Sequence, residues 1–283
     1  MFAMHRLRRT APAFVIALVF ILSANFSAAQ SADRDRIQAF LQVTGFDVAL
    51  DSISLSAGSA PQMLGLPPGT FGSDWTRLTE EVFDHDLMRD MALNILEQTL
   101  ETDKLNHAVA FYASDLGQRL VESENASHLV EDDESKGAEG RALISEMVRQ
   151  GANRLEIIKQ MGAAIDSTSS GVRAVQEIQY RFLLAASAAG VVDLQVDADE
   201  LRAMLEAQAG PLRLALQENA LANAAYTYQA FSDEDLQSYV TALEHPDMQN
   251  VYELLNAVQY EIMANRFEVL ATRMAELHPG QDI

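Results

Sequence analysis

Pro246 to Leu277 reads PDMQNVYELLNAVQYEIMANRFEVLATRMAEL. Met248, Val251, Leu255, Val258 and Ile262 form one apolar row, and Met263, Phe267, Leu270, Met274 and Leu277 carry a second beside it. Steps of three and four residues return a side chain to the same face of an α-helix, whereas a strand would need strict alternation. Two adjoining rows make a broad apolar face. The stretch therefore predicts a long, widely buried helix, the spine of a helical bundle.

Working towards the N-terminus, Ser232-Asp233-Glu234-Asp235 has the chemistry of a helix start, a hydroxyl cap with carboxylates facing the positive end of the helix dipole. Helices are expected over 198–208 and 211–230, the second with Pro211 in its first turn, where a missing N–H leaves no helix bond unmade. Val191–Val196 has some β-like character, but Asp193 interrupts it and Asp197 ends it, so it reads as a loop. Val172–Ala189 and Ala142–Ile165 read as helices, with a break at Ser167–Gly171 and Gly190 as a C-terminal cap. Glu131–Gly140 (EDDESKGAEG) is polar, charged and Gly-containing, and reads as a linker between halves at 30–135 and 141–283. In the first half, Arg34–Leu55 reads as helix interrupted at Gly45, and Ser56–Ser73, with Pro67-Pro68-Gly69, as a loop. Ser73 is the expected cap of a helix running towards Leu100 with Phe83, Leu87, Met91 and Ile95 at i+4 spacing. Thr102-Asp103 would cap another helix, through Leu105, Val109 and Tyr112.

Composition agrees with this reading. Among 283 residues only 14 are Gly and 7 Pro, so little punctuates the helices. Lys and Arg number 20 against 41 Asp and Glu, a net charge of −21, which argues against nucleic acid or an anionic membrane surface as partner. No cysteine is present, which excludes a disulfide framework, thiolate metal ligation and a cysteine nucleophile.

Residues 1–29 have the three parts of a signal peptide. His5, Arg6, Arg8 and Arg9 form a positive start, Ala11–Ala24 is uncharged and apolar, and Ser27-Ala28-Ala29 offers small residues for cleavage before Gln30. The apolar run, about 14–16 residues, falls short of the roughly 20 a helix needs to cross a bilayer. Cleavage after Ala29 would remove three arginines, moving the charge from −21 to −24. A periplasmic protein without stable membrane insertion is expected.

A weak internal echo relates 98–126 to 229–257. At an offset of 131 positions, Gln98, Leu105, Val109, Gln118, Glu122, Asn125 and Ala126 match Gln229, Leu236, Val240, Gln249, Glu253, Asn256 and Ala257. Shared helical composition would produce some of these identities. A duplication would make the fold two similar helical halves.

Two segments carry a family resemblance. Leu105, then Phe111-Tyr112-Ala113-Ser114-Asp115-Leu116-Gly117-Gln118, resembles the Phe-Tyr-x-Ser-x-x-Gly signature of the secreted bacterial family called domain of unknown function 2059. Tyr228, Ser232, Asp233, Asp235, Leu236, Tyr239 and the closing Gly280-Gln281-Asp282-Ile283 are similar to its alphaproteobacterial type. Asp115 departs from the proline frequent there, while the second copy has His245-Pro246. The resemblance implies an all-α exported protein and brings no catalytic residue. By its own chemistry, Phe111-Tyr112 would end one helix with two rings, Ser114 would cap the next, and Gly117 would let helices approach closely. A groove for a ligand or partner, formed by Phe111, Tyr112, Ser114, Tyr239 and His245, is the functional alternative to that structural reading.

Other chemistry is sparse. None of the six histidines stands at a helical metal spacing, so no metal and no cofactor are expected. Glu81 and His85, four apart, fit a solvated ion pair better than half a metal site. Glu131–Glu134 lacks the alternation and central glycine of a calcium loop. No nucleophile elbow, phosphate loop or dinucleotide fingerprint appears. Trp75, with Leu78 and Val82 on one face, reads as core.

The expectation is an all-α, multi-helix bundle behind a signal helix, acting as a non-enzymatic binding or interaction module of the cell envelope. Its partner would be an envelope protein or a small ligand. A hydrolase-like enzyme with a site assembled from distant residues, and a periplasmic chaperone-like protein, are the alternatives. Two converging ionisable groups of perturbed pKa would favour the enzyme, and an open apolar groove would favour binding.

Overall fold

A computed structural model of the chain describes residues 34–67, 70–166 and 170–277. The expected signal peptide, its cleavage site and the closing Gly280–Ile283 lie outside the described residues. Those residues form helices joined by short turns, with no strand among them. Following the chain, α1 covers 34–44, α2 Phe46–Asp51, α3 Ile53–Ser56, α4 Ala60–Met63, α5 Gly72–Val82, α6 His85–Thr99, α7 Thr102–Tyr112 and α8 Asp115–His128. Then come α9 Asp133–Gln150, α10 Arg154–Ile165, α11 Gly171–Ala188, α12 Ala198–Ala207, α13 Ala209–Thr227, α14 Asp233–Leu243 and α15 Pro246–Arg273.

The spine forms as the apolar rows predict. In α15, Met248, Val251, Leu255, Val258, Ile262, Phe267 and Leu270 are all buried. Helix α11 packs along it, and α5, α6, α7, α10 and α14 pack around it. Arg181 of α11 fastens that pair at the surface, reaching Glu261 at 3.1 Å and Glu268 at 2.6 Å. One buried apolar cluster runs from Ile37 to Leu277 and takes residues from both sides of the 131–140 segment. A second, around Met147, Ile158 and Ala225, joins α9, α10 and α13.

Several boundaries depart from the sequence reading, each for a local reason. The expected helix from Ser73 to Leu100 is two helices: α5 starts at Gly72 and ends at Val82, and the Asp84 carboxylate accepts the Leu87 N–H to start α6. The i+4 row misjudged the inner face of α6, where Met88, Ala92, Leu93 and Leu96 are buried and Leu87 is exposed. Much of the expected loop at Ser56–Ser73 is short helix, continuing through Met63. The expected linker also disappears, because Asp132 caps α9 through the Ser135 N–H and the helix runs on to Gln150. Gly140, inside that segment, is buried so close to α13 that a Cβ there would stand 2.1 Å from the Ala222 carbonyl oxygen. The helix expected over Ala142–Ile165 is likewise broken, by Gly151 in the left-handed region at φ 64°.

The internal echo reappears in the helix boundaries. Helix α7, Thr102–Tyr112, and helix α14, Asp233–Leu243, cover equivalent positions, and α8 and α15 start at the equivalent Asp115 and Pro246. The preceding caps agree too, Ser114 at φ −73°, ψ 162° and His245 at φ −64°, ψ 133°. Each side chain accepts a backbone N–H of the turn it opens, from Gly117 and Asp247 respectively. Unlike residues, a hydroxyl and an imidazole, thus do the same capping work.

Candidate functional site

Four tyrosines and one glutamate converge where five helices meet. Tyr112 ends α7, Glu124 lies in α8, Tyr228 caps the end of α13, Tyr239 lies in α14 and Tyr252 in α15. Helix α8 brings in its carboxylate on an otherwise apolar face, one turn beyond the buried Leu120 and Val121. Tyr112 and Tyr239 are 2% and 0% exposed, and Tyr228 is 6% exposed.

Their hydroxyls face one another. Tyr239 Oη lies 3.1 Å from Tyr112 Oη and 2.9 Å from Tyr252 Oη, and Tyr112 also hydrogen-bonds Tyr252. Glu124 Oε1 accepts the Tyr228 hydroxyl at 2.6 Å and the Tyr239 hydroxyl at 3.0 Å. The rings pack as well, with Phe111 stacked on Tyr239 at 5.7 Å and Tyr228 edge-on to it at 6.1 Å.

Enclosure governs the acidity of this group. Removing water penalises a charge more than a neutral group, so the Glu124 carboxyl is pushed up to about 7, against the pull of its two tyrosine donors. Tyr112, Tyr228 and Tyr239 are pushed well above their ordinary value, first by burial and next by neighbouring acidic groups.

The residues proposed from sequence meet only in part. Phe111, Tyr112 and Tyr239 come together in this cluster. Ser114 is exposed and holds the Gly117 N–H, its capping role, while Gly117 allows the close approach expected: a Cβ there would stand 2.4 Å from the Phe111 carbonyl oxygen. His245 is exposed and stacks on His107 with ring centres 4.1 Å apart. His85 faces Asp51 at 3.7 Å, and Glu81 pairs with Arg77 and Arg273.

Sequence reading missed Glu124, Tyr228 and Tyr252. Glu124 had a signal, a carboxylate continuing the apolar row of Leu120 and Val121. It also missed an open groove of about 640 Å³ between α11, α12 and α15. Ala174, Leu205, Ala257 and the rings of Tyr180 and Tyr260 line it, with Arg173, Glu177, Arg202, Glu206, Glu253 and Glu261 among its charged groups. Arg202 lies 3.9 Å over the Tyr180 ring and pairs with Glu177 at 3.3 Å, while Glu261 pairs with Arg181.

No helix among the described residues is long and apolar enough to cross a membrane. Residues 86–133 match the family described as uncharacterized protein conserved in bacteria, domain of unknown function 2059, which holds α7, α8, Tyr112 and Glu124. No curated protein and no solved structure matches the chain.

Proposed function

We propose that the protein, whose residues 86–133 match an uncharacterised bacterial family, is a non-catalytic binding module of the cell envelope, working in the periplasm after cleavage following Ala29. The groove between α11, α12 and α15 carries this reading. Its volume, about 640 Å³, falls among ordinary ligand sites, and an apolar floor ringed by charge suits recognition rather than bond-breaking. Glu206 and Glu253 stand on it without an ion pair among the described residues, and the chain as a whole is at −21. The occupant is therefore a segment or small ligand with an apolar body and positive charge, which long-range attraction would also draw in. The tyrosine cluster supports the same reading. Its hydroxyls are engaged with one another and with Glu124, so they brace five helices instead of facing a substrate.

A photo-reactive phenylalanine analogue at the exposed Ala257 tests this in intact cells. A discrete adduct, lost when Ala174→Trp fills the groove and kept when Leu129→Trp alters an unrelated exposed position, is expected. Adducts unaffected by Ala174→Trp would sink the groove as the binding site. A mature N-terminus other than Gln30, or retention in the cytoplasm on fractionation, would sink the location.

A further inference from the structure

We propose that His107, His245 and Asp247 form a binding site for a divalent transition-metal ion of the zinc class. His107 lies in the middle of helix α7, and the other two open helix α15. One ligand atom from each of the three lies within 4.8 Å of the others. The imidazole rings lie face to face, 4.1 Å between centres and 22° between planes. The Asp247 carboxylate stands 3.7 Å from His245 Nδ1.

The donor set decides the ion. Two imidazoles and one carboxylate match the borderline ions zinc, nickel and copper, whereas calcium and magnesium take oxygen ligands almost throughout. Three protein ligands with an open fourth position is the arrangement of zinc sites that keep a water or accept an outside ligand. Zinc bonds of about 2.0–2.2 Å lie along the nitrogen lone pairs in each ring plane, so the two stacked rings must turn out of their stack as well as draw together with the carboxylate. All three retain surface exposure, so rotamer changes can supply that movement.

The supporting backbone is held in place. Five residues after His107, Tyr112 hydrogen-bonds Tyr252, seven residues after His245, so the buried cluster ties α7 to α15 just beyond the site. Ligands on two braced helices lose little freedom on binding. One contact works against the ion. Ligation withdraws His245 Nδ1 from the Asp247 N–H that it caps, at 3.3 Å a long bond and a small loss.

Zinc chloride added to the untagged, metal-stripped full chain tests the site, with a competing chelating indicator to read affinity and thermal unfolding to read stabilisation. The variants are His107→Phe, which keeps a ring to stack, and His245→Asn, which keeps a helix cap. Saturable binding of one zinc per chain is expected, with a rise in melting temperature. Each variant should weaken binding by about 10-fold or more while keeping its helical circular dichroism. Binding unchanged in both folded variants would overturn the proposal, as would wild-type protein that takes up no zinc at millimolar concentration.

Discussion

The Tyr239 hydroxyl donates to Glu124 Oε1 at 3.0 Å, across a sequence separation of 115 residues. It sets the Glu124 carboxyl, whose affinity for its proton burial raises, against a helix far along the chain. Because folding raises the affinity of Glu124 for its proton, stability and pH are linked there.

For a carboxyl whose folded pKa is raised, the linked stability is fully present below the unfolded value, 4.5, and is lost as pH rises through about 7. The difference corresponds to about 2–3 kcal/mol, taking the accessible part of Glu124 into account. Glu124→Gln is neutral throughout and keeps an oxygen for Tyr228 and Tyr239. Urea unfolding of both proteins should show the variant gaining on the parent by that amount between pH 4.5 and 8. A difference that stays constant with pH would refute the linkage.

Tyr239→Phe should move the same titration. The lost hydroxyl favoured the ionised carboxylate, so the Glu124 midpoint should climb above about 7, which carboxyl chemical shifts can follow. Tyr112 and Tyr252 would each lose a buried partner, at a cost of about 1–3 kcal/mol.

Two helical glycines should respond to alanine in opposite directions. At Gly140 a Cβ meets the Ala222 backbone at 2.1 Å, so Gly140→Ala must push α9 from α13 and should cost about 1–3 kcal/mol. At Gly162, within α10, nothing lies within 4 Å, and Gly162→Ala should stabilise by about 0.5–1 kcal/mol through helix propensity alone. Denaturant midpoints moving the same way in both would contradict the packing described.

Arg154 clamps the turn between α13 and α14. Its guanidinium donates to the carbonyls of Tyr228 at 2.5 Å and Phe231 at 2.9 Å, and to Asp233 at 2.7 Å. Arg154→Ala leaves two carbonyls at a helix end without that donor and should cost about 2–3 kcal/mol. Amide exchange over 228–233 should accelerate more than over α11, and equal acceleration everywhere would argue against a local clamp.

What the sequence by itself determined is whatever lies within a few residues along the chain. Ser114 and Ser232 accept the N–H three positions on, the apolar rows of α15 turn inward, and the paired boundaries of α7 and α14 follow from repeated local signals. Caps and amphipathic faces are interactions of i with i+3 or i+4, so composition and spacing record them. Tertiary structure alone decided that Tyr112, Glu124, Tyr228, Tyr239 and Tyr252 share one proton network, and that His107 lies against His245. It also turned the charged 131–140 segment from an expected linker into a helix seated on Ala222. Those outcomes depend on which helix faces meet and how closely, a property of packed surfaces that no short window of residues contains.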